Sequence, residues 1–454
     1  MNYLDFLESK KHTSIDKGIN PSFIPKGSFD FQRHIIEYAV KKGRCAIFLD
    51  TGLGKTLIEL AIAVNYRNET NKPVLIITPL AVAFQFIKEA EKFGIDDIEY
   101  SKDGNFKKKI VICNYERLSA FNSSDFDCVI LDESSILKNF NGAIKDHVTN
   151  FMKKVKYRFL ATATPSPNDY IELGTSAEAL GEMGYMTMLK TFFANNENNI
   201  RPQEIGSKWY LKPHAKFDFF NWVSKWSITA RSPSDLGYSN DRFILPELTQ
   251  SYHNVKNDKN WIVDGQILMF GKIAKTMTEV RQEQKMTIEN RCQKAFDLAK
   301  ESDISVYWTN LNSESEMINK LDKDAVEIKG SMTLDKKENI LLEFSKGNIK
   351  RLITKPKITA FGLNWQHCNH SVIFPTWSYE QLYQMIRRFW RFGQKKPVHI
   401  DLVLSDGQKR VVDALELKIE KSKELFELLT KATNGTYLEK KERPFSENVI
   451  MPKF

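Results

Sequence analysis

The chain has 454 residues, 42% hydrophobic and 27% charged, with 66 Lys and Arg against 57 Asp and Glu, a formal charge of +9 and five cysteines. Normal apolar content with sparse, odd-numbered cysteine excludes a disordered chain, a collagen-like repeat and a disulfide-stapled miniprotein, and the length suits two or three domains with their own cores. No run approaches the roughly 20 apolar residues of a membrane span, and the opening MNYLDFLESKKH carries acids where a signal peptide wants basic and then apolar residues. The expectation is a cytoplasmic protein with no membrane association. The positive surplus suits a polyanion such as nucleic acid, and equally suits solubility.

In chain order, residues 1–27 form a leader. From Phe29, apolar runs alternate with amphipathic stretches, at Cys45–Leu49, Val74–Ile77, Lys109–Cys113, Cys128–Leu131 and Tyr157–Ala161. This spacing predicts strands feeding crossover helices in a parallel sheet, one α/β domain over 28–177. Over 178–290 the chain is dense in aromatics and Lys, with no visible strand and helix alternation, and reads as a largely helical insertion and linker. The alternation resumes at Ile304–Trp308, Ala325–Ile328, Arg351–Thr354, Ser371–Phe374 and Val398–Leu404, a second α/β domain over 291–407. A charged helix spaced by Val411, Val412, Leu415, Ile419, Leu425, Leu428 and Leu429 follows within 408–454, expected to pack back on that second domain, with a loosely ordered end.

After the first strand stands Asp50-Thr51-Gly52-Leu53-Gly54-Lys55-Thr56, followed by the helical run Leu57–Ile62. Glycines let consecutive backbone N–H groups and the helix N-terminus face phosphate oxygens; Lys55 reaches the β/γ-phosphates and the Thr56 hydroxyl suits Mg²⁺. The full G-x-x-x-x-G-K-[ST] pattern would place Gly where Leu49 stands. The fourth run ends in Asp132-Glu133-Ser134-Ser135, acids at the edge of a parallel sheet where ligands bind. In that place Asp132 would hold the metal and Glu133 would polarise the attacking water. Near the end of the second domain, Arg388 and Arg391 in Gln384-Met385-Ile386-Arg387-Arg388-Phe389-Trp390-Arg391-Phe392-Gly393-Gln394 are three apart. They would share a helical face and present together to a triphosphate across a cleft, Arg391 meeting the developing γ charge and Arg388 the triphosphate.

These residues, in this order, resemble the superfamily-two helicase-type ATPases, closest to the Swi/Snf-like branch and to compact members encoded by bacteriophages with DEAD/DEAH-box-like motifs. The resemblance spans Phe29 to Leu404. It takes in Gln32 as an adenine-reading glutamine, Gly52-Leu53-Gly54-Lys55-Thr56 as motif I, Thr78-Pro79-Leu80 as motif Ia and Asn114-Tyr115-Glu116 as the following motif. Asp132-Glu133-Ser134-Ser135 stands as motif II, Thr162-Ala163-Thr164-Pro165 as motif III, Trp308-Thr309-Asn310 near motif IV, Gly362-Leu363-Asn364 near motif V, and Gln384 to Gln394 as motif VI. It implies two tandem RecA-like parallel-sheet lobes with a mainly helical insertion between them, ATP and Mg²⁺ in the cleft, and nucleic acid lying across both lobes. The implied ATP contacts are Gln32, Gly52, Leu53, Gly54, Lys55, Thr56 and Gln384, with Thr56 and Asp132 on the metal. Thr162, Thr164, Gly362 and Asn364 would couple nucleotide state to movement, and Thr78, Pro79, Asn114, Tyr115 and Asn310 would contact nucleic acid. The chain departs from its relatives at Ser135, at Arg387, where they carry an acid, and at Trp390, where they often carry His.

The expected activity is an ATP-dependent DNA helicase or translocase acting as a monomeric motor core, with duplex DNA favoured and RNA as an alternative. A nucleotide-gated binding module without movement and a P-loop small-molecule kinase are the other readings. Replication, recombination and interference with host defence would all use such a core and supply its protein partners. Trp209, Trp222 and Trp226 lie among Lys208, Lys212, Lys216, Lys225 and Arg231, a mixture that suits base stacking, although aromatics at helical spacing are more often core. His367-Cys368-Asn369-His370 lacks a second ligand pair at zinc-like spacing and reads as a loop beside motif V. The cysteines read as buried thiols.

Overall fold

The computed structural model describes residues 16–138, 142–195, 209–256, 261–263, 266–268, 277–359 and 364–435. Gly362 and the chain end beyond Gly435 lie outside the described residues. In the first lobe, the β-branched runs form strands β1 (Arg44–Leu49), β2 (Val74–Thr78), β3 (Ile98–Tyr100), β4 (Ile110–Asn114), β5 (Cys128–Asp132) and β6 (Tyr157–Thr162). Helices α1 (Asp30–Lys42), α2 (Lys55–Glu69), α3 (Leu80–Lys92), α4 (Ala143–Lys153), α5 (Glu172–Leu180) and α6 (Tyr185–Phe192) accompany them. The strands are buried almost throughout, with an apolar core on each face of the sheet. Continuous rather than alternating hydrophobicity follows from burial on both faces.

The aromatic stretch departs from the helical expectation. It forms a short hairpin of β7 (Phe193–Asn195) with β8 (Trp209–Leu211), then α7 (Lys216–Ser224), and then β9 (Ser227–Ala230), which pairs in parallel with β1. The first sheet is therefore seven-stranded, in the order β3-β4-β2-β5-β6-β1-β9. Ser227-Ile228-Thr229-Ala230 is too short and too polar to stand out as a strand beside its aromatic neighbours. Trp222 and Trp226 are buried in the core beneath this sheet, and Trp209 packs against it, so they serve packing.

Residues Leu248–Val255, also within the expected linker, form β10 and pair in parallel with a strand of the second lobe. There follow a hairpin of β11 (Trp261–Val263) and β12 (Gln266–Leu268), α8 (Met277–Met286), α9 (Ile288–Ala299), β13 (Ser305–Trp308), α10 (Asn312–Leu321), β14 (Ala325–Glu327), α11 (Leu334–Ser345), β15 (Arg351–Thr354), the single turn α12 (Pro356–Thr359), β16 (His370–Ile373), α13 (Tyr379–Ile386) and β17 (Val398–Ser405). The second sheet is parallel, in the order β10-β17-β16-β13-β15-β14. The molecule is thus two RecA-like parallel-sheet lobes, and the linker supplies an outer strand to each.

The last helix, α14 (Lys409–Thr433), does more than pack back on the second lobe. Val411, Val412 and Leu415 enter that lobe's core, whereas Leu425, Leu429 and Ala432 enter the core of the first. Apolar residues continue along one stripe of a 25-residue helix, so the same face serves both lobes. Among the described residues no helix is long and apolar enough to cross a membrane.

Candidate active site

Parallel pairing brings the C-terminal ends of β1, β2, β5 and β6 to one edge of the first sheet: Ile77 is in register with Leu131, and Asp132 with Ala161. Loops leaving that edge carry the chemistry. After β1, Gly52 and Gly54 adopt φ of +90° and +84°, a region that favours glycine. Space is tight as well as the backbone. A Cβ at Gly54 would lie 2.3 Å from Gln32 Nε2, and one at Gly52 would lie 2.9 Å from the amide nitrogen of Phe392 in the other lobe. Gln32 Nε2 donates to the Leu53 carbonyl (3.0 Å), and its Oε1 accepts from the Phe29 amide (3.0 Å), so this glutamine props the loop.

Lys55 opens α2 and donates its Nζ to the carbonyls of Leu49 (2.9 Å) and Asp50 (3.3 Å), with Thr56 next to it. Withdrawal from water opposes the Lys55 charge, while the carboxylates of Glu133, Asp50, Asp132 and Glu59 favour it. Asp132 ends β5 and is buried; its Oδ2 accepts from Thr78 Oγ1 at 2.8 Å. Burial raises its pKa, and the Thr78 bond and Lys55 oppose that rise. Glu133 is the one non-glycine residue with positive φ among the described residues, at 51°. Such backbone is costly for a non-glycine side chain. Its Oε2 is buried without a hydrogen-bond partner, and burial, then Asp132, push its pKa up to about 7.

Glu59 is an acid that sequence reasoning missed. It lies one turn after Lys55 in α2 and is fully buried, and burial and then Asp132 raise its pKa well above the usual carboxylate range. Neither of its oxygens has a hydrogen-bond partner among the described residues, and burial beside Asp132 favours its neutral form. The signal was a lone acid inside the apolar run Leu57-Ile58-Glu59-Leu60-Ala61-Ile62.

The second lobe meets this group through α13 and the turn after it. Arg388 is buried, with burial and the neighbouring Arg391 opposing its charge and Glu133 and Asp132 favouring it. Its Nη2 donates to Gln384 Oε1 at 3.4 Å. Arg391 is less buried and shares its surroundings with Arg387 and, more distantly, Glu89. Of the two arginines, Arg388 is the one whose charge the acid pair favours.

The other expected site residues fall into two groups. Thr162, the last residue of β6, and Thr164 just after it are buried, and Thr162 Oγ1 accepts from the Thr164 amide at 3.1 Å. Thr78, Asn114 and Tyr115, expected to contact nucleic acid, are buried: Tyr115 bonds the Asp132 carbonyl and, at 3.3 Å, that of Glu133, and Asn114 Nδ2 donates to Glu116 at 2.8 Å. Thr78 and Tyr115 thus support motif II from behind, whereas Asn114 bonds Glu116 and Tyr100. Pro79 is half-buried, and Asn310 and Asn364 are exposed. In the segment considered for metal binding, His370 bonds Asp401 at 2.8 Å and Cys368 lies in the core of the second lobe. All five cysteines are buried free thiols.

The fold and this cleft define a class. Residues 29–173 match the DEAD/DEAH box helicase family and residues 273–393 match the helicase conserved C-terminal domain, together more than half of the chain. The chain belongs to the superfamily-two helicases and carries, in order, the domain pair of nucleic-acid-dependent ATPases. It is 28% identical over 221 residues to the DNA annealing helicase and endonuclease ZRANB3 of Mus musculus, covering 44% of this chain and 20% of that protein. It is 23% identical over 437 residues to the ATP-dependent helicase YqhH of Bacillus subtilis, covering 84% of this chain and 75% of that one. The SWI2/SNF2 ATPase core of Sulfolobus solfataricus, solved in complex with dsDNA, superposes with a TM-score of 0.42 at 15% identity, covering 92% of this chain and 96% of that one. The chain spans about a fifth of the length of the mouse relative.

Proposed function

We propose that this protein is an ATP-driven DNA translocase of the Swi/Snf-like branch that hydrolyses ATP between its lobes while tracking along duplex DNA. One observation carries the reading: Lys55, Asp132 and Glu133 of one lobe and Arg388 of the other converge on a single cleft. The family match supplies the reaction class, and the name of the mouse relative favours DNA as the track.

Mg²⁺ fits the residues present. The buried acids Glu59, Asp132 and Glu133 outnumber the lysine among them, and Glu133 Oε2 has no protein partner. Among the described residues no three His, Cys, Asp or Glu side chains form a cage. That suits a cation held by Asp132, Thr56, phosphate oxygens and water, which is how Mg²⁺ is commonly bound beside nucleotides. When bound, it would neutralise charge on the β- and γ-phosphates.

This chain's residues do the rest. The loop from Gly52 to Thr56 presents backbone N–H groups to the phosphates, and Lys55 exchanges its carbonyl partners for phosphate oxygens. Thr78 and Tyr115 fix the acid pair. Glu133 accepts a proton from the attacking water, and Arg388 stabilises charge building on the transferred group from the opposite lobe. Steady-state phosphate release tests the assignment. Lys55→Ala and Glu133→Gln are each expected to lower turnover at least about a hundredfold, with Glu133→Gln still binding DNA; wild-type turnover in Glu133→Gln would overturn the role given to that residue.

A further inference from the structure

The departure at Arg387 has a partner in the other lobe. Arg387 forms an ion pair with Asp50, which immediately precedes the phosphate loop, and Tyr383 donates its hydroxyl to the other oxygen of the same carboxylate. Despite burial, Asp50 holds the Arg387 guanidinium above its usual pKa, and the guanidinium lies 4.6 Å from the Trp390 ring centre. Trp390 donates its indole N–H to the Pro246 carbonyl at 2.7 Å. The two departures Arg387 and Trp390 therefore form one stack.

A second pair crosses between the lobes. Lys138, which follows motif II, bonds the buried carboxylate of Glu380. Glu380, Tyr383, Gln384, Arg387 and Arg388 recur at three- and four-residue spacing, one face of α13 and its following turn. Along that face Glu380 stands near the start of the helix and Arg387 just past its end, beside Arg388; the first lobe answers with a base, Lys138, and an acid, Asp50.

We infer that Glu380, Tyr383 and Arg387 are positioning residues forming a two-point clasp: they fasten α13 to the loops after motif II and before motif I, and so aim Arg388 at Glu133. The inference rests on the reading of this cleft as the ATP site. Fixing the helix at both ends removes its freedom to slide or rotate, and catalytic groups misplaced by about 1 Å can cost a hundredfold in rate. Mirror-opposed charges also select one register of one lobe on the other, since a shifted helix would leave a buried charge unpaired.

A reciprocal charge swap tests the clasp with two readouts. One is kcat and KM for ATP in Lys138→Glu, Glu380→Lys and the double variant. The other is energy transfer between dyes on Lys72→Cys in the first lobe and Lys300→Cys in the second, both half-exposed lysines. Each single variant is expected to lower kcat about tenfold with KM within about threefold and to lower transfer efficiency; the double variant restores both. Tyr383→Phe, which keeps the ring and removes the hydroxyl, is expected to lower kcat in the same direction. Unchanged transfer in both single variants, or a double variant no better than the worse single, would overturn the clasp. Should the wild type hydrolyse no ATP, the proposed function fails and energy transfer alone decides the clasp.

Discussion

At Glu133, backbone and charge are both set against the unbound state. A left-handed φ of 51°, a buried oxygen without a partner and a pKa pushed up to about 7 occur on one side chain. Glu172, buried after motif III, is likewise pushed up to about 7, first by burial. A carboxyl whose folded pKa is raised contributes stability fully present below its unfolded value, near 4.5, and lost as pH rises through about 7. The unliganded protein should therefore melt at lower temperature at pH 8 than at pH 6. Glu133→Gln, which keeps a neutral group there, should be more stable than wild type at pH 8 by about 1–3 kcal/mol and nearly equal to it at pH 5. Thermal melting at the two pH values checks this, and identical curves for variant and wild type would count against it. A catalytically dead, stabilised variant is the expected signature of an acid held for chemistry.

The element that most changes the picture is α14. Its N-terminal half belongs to one core and its C-terminal half to the other, and its polar face adds Lys216–Glu424 (2.6 Å) and the Lys418 contact to Asn168 (3.3 Å). Arg231, just after β9, lies 4.8 Å over the Phe426 ring. Leu429→Ala should cost about 2–4 kcal/mol, as for other buried leucines, and should act on the first lobe although the residue lies far beyond it in sequence. Chemical denaturation followed by hydrogen exchange in β9 and α7 reads this, and protection lost only in the second lobe would contradict it. Hydrophobic spacing marked the helix itself, because period 3.6 is local. Its double attachment was not legible, because which core a leucine enters depends on where the chain has already gone. The same limit explains β9 and β10: four or eight residues on a sheet edge, partly polar, carry too weak an alternation to read, whereas the interior strands are apolar on both faces.

For the molecule as a whole, the residues of motifs I and II were legible because a backbone cradle, a lysine and paired acids need fixed spacing along the chain. Glu59, Asp50 and Tyr383 were not, since their roles arise only when a helix turn or a second lobe brings them to the cleft. Arg387 was visible only as a departure, and its partner explains it. The +9 charge has a narrower meaning in this frame: several cations are committed to partners, Lys55 to the carbonyls before the glycine loop, Arg387 to Asp50, Lys138 to Glu380 and the buried Arg291 to Glu314, and the proposed DNA track would draw on exposed ones. Sequence-independent phosphate contacts of that kind support tracking rather than site recognition.

The most direct test of the central claim is the ATP hydrolysis rate measured side by side with duplex DNA, single-stranded DNA, RNA and no nucleic acid. A DNA translocase built on this cleft is expected to be stimulated at least about tenfold by duplex DNA, less by the other two, and to lose the stimulated rate in Arg388→Ala. Equal rates under all four conditions, or an Arg388→Ala variant stimulated as the wild type is, would contradict it.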